Sequence, residues 1–389
     1  MNILFITSYP SNFSPSDSIF VYRLVQELIA LGCNITIIAP QQWRSKRNVL
    51  CERSGKKNYG FEGATVYRPK YFDFPNRIRL GGLSAGRLNA LTYKWAVERI
   101  VKNLYFKPDV VYTHFLYRGG PAAIGIAKDF AIPAVVALGE SSMEKHEDIF
   151  TKNAMQKTME QFSAIISVSE KNKRYCIEQF DISPQKISII PNAINPSIFY
   201  PRDKQMVREE LGIPDDAFIV AFTGHYIERK GPLRLLQAIE KIPKDKKVFG
   251  VFIGSGEQEP TGDRVLFKGR LKQEEVAEML SSADVFALPT LNEGSCNAVA
   301  EAMACGLPII SSDIEAIKEQ VNEYNAILVN PKDIDEISKA IEILCGDKVL
   351  LSKMSNESIA LSAGNSLSLR AYKIKELLNG IIKSYNQCL

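Results

Sequence analysis

Long apolar runs and targeting signals are missing from this sequence. The first residues, MNILFIT, contain no basic segment and only a short apolar run, so we expect a buried strand there rather than a signal peptide. No apolar stretch approaches the roughly 18 residues that a membrane-spanning helix requires. These absences argue against an integral membrane protein and predict a cytoplasmic one.

Paired cysteines and nucleotide-binding glycines are missing as well. The seven cysteines are scattered without a CxxC pair, and the chain has three histidines, so neither a disulfide framework nor a zinc site is predicted. A reducing compartment suits such cysteine usage. The segment SYPSNFSPSDSIFV, which follows the first predicted strand, has no glycine. The GxGxxG fingerprint of a dinucleotide-binding dehydrogenase is therefore absent.

The sequence does contain two series of short apolar strands that alternate with helical stretches. Continuous apolar strands are typical of parallel sheets covered on both faces, which predicts an α/β protein. The segment PNAINPSIFYPRD (191–203) interrupts the pattern and reads as a linker. We predict an N-terminal domain over 1–195, a C-terminal domain over 196–368, and a terminal amphipathic helix over 369–389 that packs back on the N-terminal domain.

The segment ADVFALPTLNEGSCNAVAEAMACGLPII (283–310) predicts a strand, a glycine turn and a helix of small residues. Gly294 allows close backbone approach, and free N–H groups at a helix start attract anions, so a diphosphate fits there. The amides concerned are those of Ser295, Cys296, Asn297 and Ala298. Glu293 and Glu301 lie eight positions apart, about two helical turns, and their carboxylates can accept hydrogen bonds from sugar and ribose hydroxyls.

In this segment the chain resembles the retaining glycosyltransferases of family 4, whose mark is a Glu, seven residues and a second Glu. Further matching segments are ISIIPNAINPSIFYP, VFIGSGE, LFKGRL and NEYNAILVNPKDIDEISKAI. The resemblance implies the GT-B fold, with two doubly wound Rossmann-like domains facing a cleft. It also implies transfer of a sugar, with retention, from a nucleotide diphosphate (a UDP-sugar) to a saccharide or lipid-linked acceptor in bacterial surface polysaccharide assembly, such as lipopolysaccharide or capsule.

The resemblance also assigns roles to residues of the donor site. Glu293 would contact hydroxyls of the donor sugar and Glu301 the ribose, while the amides from Gly294 to Ala298 would hold the sugar and diphosphate. Arg270 falls in the region that holds the base.

Two further segments carry candidate residues. In TGHYIERKG (223–231), His225 stands where the family has an arginine, Arg229 is its expected substitute, and Lys230 would stabilise the leaving diphosphate. His114 ends the predicted strand DVVYTH, where the family has a histidine beside the donor sugar and the acceptor. A structural histidine at a strand end is the alternative. We take Glu293, His114 and Lys230 as the catalytic candidates, whereas His146 reads as a surface residue.

No cofactor or metal is predicted. Asp333-Ile334-Asp335 resembles a metal-binding Asp-x-Asp motif, but an amphipathic run follows it directly, so helix capping explains it better.

Positive charge is concentrated in residues 44–107, which hold 15 Lys or Arg against four acidic residues. Together with its aromatic residues, this block suits an anionic membrane surface or a phosphorylated acceptor. Nucleic acid also fits the charge, although we do not predict it as a partner, and a solvated face is an equal alternative. We expect the protein at the inner face of the membrane.

Two other functions stay open at this point. A GT-B-fold sugar-nucleotide epimerase uses a similar cleft without an acceptor, but the context of Glu293 and Glu301 favours transfer. A non-catalytic protein that binds nucleotide sugars is conceivable because His225 replaces the usual arginine, yet Lys230 and both glutamates are kept.

Overall fold

The computed structural model describes residues 1–10, 18–43, 63–75, 79–80, 83–139 and 152–388. These form two compact units, one of Met1–Pro191 with Ser368–Leu389 and one of Asn192–Leu367. His146 and, within the basic block, residues 44–62, 76–78 and 81–82 lie outside the described residues. No helix in the described ranges is both long and apolar enough to cross a membrane.

The first unit is built on a seven-stranded parallel sheet in the order β11-β10-β9-β8-β1-β2-β4. Its strands and two small paired segments are β1 (Asn2–Ile6), β2 (Asn34–Ile38), β3 (Gln41–Gln42), β4 (Ala64–Tyr67), β5 (Lys70–Tyr71), β6 (Arg79–Leu80), β7 (Leu83–Ser84), β8 (Val110–His114), β9 (Ala134–Leu138), β10 (Ala164–Ser167) and β11 (Ile187–Ile189). The helices between them are α1 (Ile19–Ala30), α2 (Ala85–Val101), α3 (Gly119–Phe130), α4 (Lys152–Glu160) and α5 (Glu170–Phe180).

The apolar strands predicted from the sequence form the interior of this sheet. Every residue of β8 and β9 is buried, as expected for strands covered on both faces. Two apolar clusters, one on each face, hold the helices against the sheet. In α1 the buried residues Val21, Leu24, Val25 and Leu28 follow helical spacing. The first unit is therefore a doubly wound α/β layer structure.

The last helix of the chain, α13 (Leu367–Cys388), packs on the first unit, to which residues from Ser368 onward belong. Its buried residues Ala371, Ile374 and Leu378 share one apolar cluster with Ile3 and Phe5 of β1. Lys375 also donates a hydrogen bond of 2.8 Å from Nζ to the Leu31 carbonyl oxygen. One face of the first sheet is thus completed by the end of the chain.

The second unit has a six-stranded parallel sheet in the order β14-β13-β12-β15-β16-β17. The strands are β12 (Phe218–Tyr226), β13 (Val248–Gly256), β14 (Val265–Gly269), β15 (Val285–Leu288), β16 (Ile309–Ser312) and β17 (Ala326–Val329). The helices are α6 (Lys204–Leu211), α7 (Pro232–Lys241), α8 (Gln273–Ser281), α9 (Asn297–Ala304), α10 (Glu315–Lys318), α11 (Ile334–Gly346) and α12 (Lys348–Ala363).

Two long central strands position the loops that matter for function. β12 and β13 pair over nine residues, with Gly224 opposite Gly254 and His225 opposite Ser255. A Cβ on Gly254 would lie 1.8 Å from the Gly224 carbonyl oxygen, so the strands approach closely only because the residue there is glycine. The carboxyl ends of β12, β13 and β15 meet at one edge of the sheet, where open α/β sheets bind ligands.

The Asp-x-Asp motif caps a helix, as predicted. Asp333 is the N-cap of α11, and its Oδ1 accepts hydrogen bonds from the backbone N–H groups of Asp335 (2.9 Å) and Glu336 (3.1 Å). Asp335 forms an ion pair with Lys241.

Candidate active site

Two loops at the carboxyl edge of the second sheet form the candidate site. One follows β12 and leads through Lys230 and Gly231 into α7, and the other follows β15 and leads through Glu293 into α9. The loops are joined by their backbones, because the N–H of Leu291 donates a 2.7 Å hydrogen bond to the Arg229 carbonyl oxygen. Residues far apart in the sequence are therefore held together as one element.

The Glu293 carboxylate is the centre of this arrangement. Its Oε1 accepts hydrogen bonds from Lys230 Nζ at 2.6 Å, Arg229 Nη1 at 3.1 Å and Thr290 Oγ1 at 2.8 Å. Glu293 is 5% exposed, so these charge-assisted bonds compensate the cost of burying the carboxylate. Two cations surround one carboxylate, and the local charge is positive. Such a site favours an anionic ligand.

Arg229 is held in a fixed orientation. Its Nη1 donates to the Asn292 carbonyl oxygen at 2.7 Å as well as to Glu293. Thr290 Oγ1, besides contacting Glu293, lies 3.1 Å from the Arg229 carbonyl oxygen. Arg229 was predicted from the sequence. Thr290 was not, although its position shortly before the Asn-Glu-Gly turn could have indicated it.

Gly231 is a second residue of the site that was not predicted from the sequence. Its φ is +74°, and a Cβ there would lie 2.6 Å from the Pro289 carbonyl oxygen. Glycine therefore lets the Lys230 loop approach the Glu293 loop closely. The sequence Lys-Gly-Pro could have indicated the role of Gly231, since proline is common at the first position of a helix.

The start of α9 differs in part from the expectation of four free amides, those of Ser295, Cys296, Asn297 and Ala298. The N–H of Cys296 donates to Gln320 Oε1 at 2.8 Å, and Gln320 Nε2 donates back to the Cys296 carbonyl oxygen at 3.2 Å. The prediction that the Cys296 amide is free was therefore wrong, because a side-chain amide caps the helix. Asn297 is exposed and Ala298 half-buried, while Gly294 is buried.

At this helix start Ser295 is half-buried with a buried hydroxyl oxygen, and Cys296 is buried. Ser295 Oγ has no hydrogen-bond partner among the described residues, so it can serve a ligand. Burial raises the pKa of the Cys296 thiol to about 11, which keeps it neutral.

Glu301 lies closer to the start of α9 than predicted. The helix begins at Asn297, because Cys296 has an extended backbone (φ −85°, ψ 100°). Glu301 is thus the fifth helical residue, just over one turn in rather than two. It is half-buried.

His225 and Arg270 lie on either side of β13 at the same edge of the sheet. His225 is exposed near the end of β12, opposite Ser255. Arg270 follows β14 and donates a 2.6 Å hydrogen bond from Nε to Ser255 Oγ. The predicted base-binding arginine and the histidine at the family's arginine position therefore both adjoin Ser255.

His114 belongs to the first unit, where it is the last residue of β8 and 5% exposed. Its ring centroid lies 5.1 Å from that of Phe20, 5.4 Å from Phe115 and 5.9 Å from Tyr112. Burial, assisted by the positive charge of Arg370, lowers the pKa of His114 to about 3. Nδ1 has no partner among the described residues. The imidazole is therefore neutral at physiological pH.

Comparison with known proteins identifies the family. The family model Glycosyltransferase Family 4 matches residues 18–198, and the family model Glycosyl transferases group 1 matches residues 203–360. The chain belongs to the family 4 glycosyltransferases. The two matches, one in each unit, confirm the family that the Glu293 to Glu301 segment indicated.

Curated relatives of this chain are themselves named as glycosyltransferases. It is 29% identical over 354 residues to the putative teichuronic acid biosynthesis glycosyltransferase TuaC of Bacillus subtilis, covering 88% of each chain. It is also 29% identical over 293 residues to an Escherichia coli UDP-Gal:alpha-D-GlcNAc-diphosphoundecaprenol alpha-1,3-galactosyltransferase, covering 70% of this chain and 75% of the relative.

Solved structures confirm the GT-B fold with two Rossmann-like domains. Sucrose-phosphate synthase from Thermosynechococcus elongatus superposes with a TM-score of 0.79 at 17% identity, over 99% of this chain and 100% of the other. HepE of Anabaena in complex with UDP gives a TM-score of 0.75 at 16% identity, over 98% and 100%. The same protein has been solved with UDP-glucose.

Proposed function

We propose that this glycosyltransferase moves a sugar from a UDP-sugar, with retention, onto a lipid-linked or saccharide acceptor during surface polysaccharide synthesis. The observation that carries the proposal is the Glu293 carboxylate fixed by Lys230, Arg229 and Thr290 beside the start of α9. The sugar nucleotide needs both chemistries found there, carboxylate oxygens for hydroxyls and positive charge for the diphosphate.

The choice of a UDP-sugar rests on the relatives. The Escherichia coli relative is named for UDP-Gal, and HepE was solved with UDP and UDP-glucose. In this chain the ribose would contact Glu301, and the uracil would lie near Arg270, whose position is fixed by Ser255.

Lys230 and the helix amides would do most of the catalytic work. Positive charge next to the departing diphosphate stabilises the transition state more than the ground state, because negative charge grows on the leaving oxygen. That oxygen can then take the proton of the acceptor hydroxyl, which attacks the face that the diphosphate leaves. Glu293, already engaged by two cations, would orient the sugar and not attack it. No metal is needed in this scheme.

His114 would contribute a neutral imidazole next to the donor sugar and acceptor. A neutral ring donates one hydrogen bond and accepts another without adding charge. Enclosure by Phe20, Tyr112 and Phe115 fixes the ring plane.

An exposed aromatic surface in the first unit supports a membrane-bound acceptor. Trp43 and Phe72, each 55% exposed, stack with ring centroids 5.3 Å apart, and Lys70 Nζ lies 5.5 Å from the Trp43 ring. Thr92 of α2 donates to the Phe72 carbonyl oxygen at 2.6 Å, and Trp95 of the same helix is 57% exposed. Aromatic rings with nearby cations are typical of peripheral binding to anionic bilayers. We therefore propose that the protein works at the inner face of the membrane.

The test is to incubate the protein with a panel of UDP- and GDP-sugars and an extract of bacterial membrane lipids. Nucleotide release and glycosylated lipid are measured by mass spectrometry. Acceptor-dependent product from a UDP-sugar, with retained anomeric configuration by NMR, is the expected result. Isomerisation of a donor without acceptor would instead show an epimerase, and binding without turnover across acceptor extracts would favour a non-catalytic role.

A further inference from the structure

A cavity of about 300 Å³ lies within the second unit, apart from the candidate active site. Its wall comes from the segment before α6, the residues just ahead of β15 and β16, and one face of α12. The residues that line it include Arg202, Lys204, Asp284, Cys305, Lys348 and Ser355.

This cavity and the candidate active site are at opposite edges of the sheet. Asp284 immediately precedes β15, whereas Thr290 and Glu293 follow the end of that strand. The four residues of β15 span about 13 Å at roughly 3.3 Å per residue. A ligand in the cavity would therefore not occupy the space of the sugar nucleotide.

The only lining carboxylate among the described residues is already engaged. Asp284 Oδ2 lies 2.7 Å from Arg208 Nη2 and accepts a 2.7 Å hydrogen bond from the Ile219 N–H. Its Oδ1 lies 2.9 Å from Lys204 Nζ. Arg208 is 5% exposed and fully committed to this interaction and to backbone carbonyls. Asp284 is thus neutralised from within the protein and does not repel an anion.

Two further cations give the cavity its positive charge. Arg202 lies over the Tyr200 ring at 4.3 Å and donates from Nη2 to the Ile198 carbonyl oxygen at 3.1 Å, which fixes the guanidinium without neutralising it. Lys348 is the exposed first residue of α12. The neighbouring Asp347 carboxylate caps that helix by accepting from the Val349 and Leu350 N–H groups.

The remaining wall is mixed in character. Ser355 contributes a hydroxyl group, while Leu351 and Ile359 on the same helical face are apolar. Burial raises the pKa of the Cys305 thiol to about 12, so the thiol adds no negative charge. About ten water volumes of roughly 30 Å³ fit in the cavity, which is more than an inorganic phosphate fills.

We propose that this cavity is a second ligand site, which binds a small phosphate monoester of the size of a sugar phosphate. Arg202, Lys204 and Lys348 hold the phosphate, and the apolar and hydroxyl groups of α12 contact the organic part. The site lies outside the transfer chemistry and does not depend on the proposed donor or acceptor.

Calorimetric titration of the full chain with glucose 6-phosphate, in the presence of saturating UDP, tests the proposal. We expect saturable binding of one molecule per chain, at least tenfold tighter than inorganic phosphate or glucose alone. Displacement by UDP, or equal affinity for inorganic phosphate at matched ionic strength, would overturn it.

Two pairs of variants on α12 give matched controls. Lys348→Ala should weaken binding about tenfold, as loss of a charge-assisted hydrogen bond does, whereas Lys353→Ala, exposed outside the lining, should leave it unchanged. Ser352→Tyr, which fills the cavity mouth, should abolish binding, and Asn356→Tyr should not. Equal affinities within each pair would refute the site. Circular dichroism verifies that each variant is folded.

Discussion

Lys230 Nζ lies 2.6 Å from Glu293 Oε1, and both side chains are largely buried. The pair joins the loop after β12 to the loop after β15. A substitution of either residue therefore changes the environment of the other. In the proposed reaction, the ammonium group that balances this carboxylate would also balance the diphosphate of the donor. The first prediction follows from this double role.

Lys230→Ala should lower kcat at least tenfold, which corresponds to about 1.4 kcal/mol or more of lost transition-state stabilisation. UDP release in a coupled assay measures this. The matched control is Lys241→Ala in the same second unit, where the lysine is exposed and pairs with Asp335 on the surface. Unchanged kinetics in a folded Lys230→Ala protein would remove Lys230 from the catalytic residues.

Gly231→Ala should destabilise the second unit by more than Gly212→Ala does. Both glycines have positive φ, +74° and +66°, so both substitutions place alanine in the left-handed region. A Cβ at 231 would also meet the Pro289 carbonyl oxygen at 2.6 Å, whereas a Cβ at 212 has nothing within 4 Å. We expect a difference of about 1–3 kcal/mol in the free energy of unfolding, measured by urea denaturation with circular dichroism. Equal losses would show that the two loops can move apart at no cost.

His114 should make the first unit less stable in acid. The unfolded chain binds a proton at this imidazole below its ordinary pKa of about 6.5, whereas the native pKa is about 3. The contribution of His114 to the free energy of unfolding is therefore complete above pH 6.5 and falls by about 1.4 kcal/mol per pH unit between roughly pH 6 and 4.

Replacement by phenylalanine should remove this part of the pH dependence. Both tryptophans, Trp43 and Trp95, lie in the first unit, so their fluorescence during urea denaturation reports on it. His225→Phe, exposed in the second unit, is the control. The assignment fails if wild type and His114→Phe lose stability in parallel from pH 7 to about 4.5.

Trp43→Ala should weaken binding to vesicles that contain anionic lipid. The ring is 55% exposed and stacked on Phe72, so it can enter the interface without disturbing the core. Sedimentation with vesicles of phosphatidylglycerol at low and high salt measures binding. Tyr324→Ala, an exposed aromatic of the second unit, should have no effect. Vesicle binding that persists undiminished at high salt would contradict an electrostatic component.

Turnover should continue in EDTA. In the proposed mechanism, Lys230 and Arg229, which both pair with Glu293, would supply the positive charge that a divalent cation provides in metal-dependent transfer. Activity assays with and without the chelator decide this, and loss of activity that magnesium or manganese restores would show a metal-dependent reaction.

Much of the fold could be predicted because the signals are local. The continuous apolar residues of β8 and β9 reflect strands that are buried on both faces of the sheet. The helical spacing of apolar residues in α1 reflects one buried face of a helix. Both patterns are visible directly in the sequence. The Asp333 cap was predicted for the same reason, since the capping residue and its helix are adjacent.

The site was harder to predict from the sequence because its contacts join residues that are far apart in the chain. Gln320, 24 positions further along the chain, accepts the hydrogen bond of the Cys296 amide. Nothing near Cys296 in the sequence indicates this contact. Thr290 binds Glu293 only because of the loop conformation, and the late start of α9 depends on the same loop. The residue types Glu293, Lys230 and Arg229 were recognisable from the sequence, whereas their mutual hydrogen bonds depend on how the two loops fold together.

The return of α13 to the first unit has a consequence for how such enzymes can exchange parts. Ala371, Ile374 and Leu378 complete the apolar face beneath β1, so the first unit is encoded by two separated stretches of the chain, with the second unit as one continuous segment between them. A chimaera made with a single crossover near Pro191 would therefore combine a sheet from one parent with a covering helix from the other. Exchange of the second unit, which carries the proposed donor site, needs two junctions, one near Pro191 and one near Leu367, so that each parent's helix stays with its own sheet.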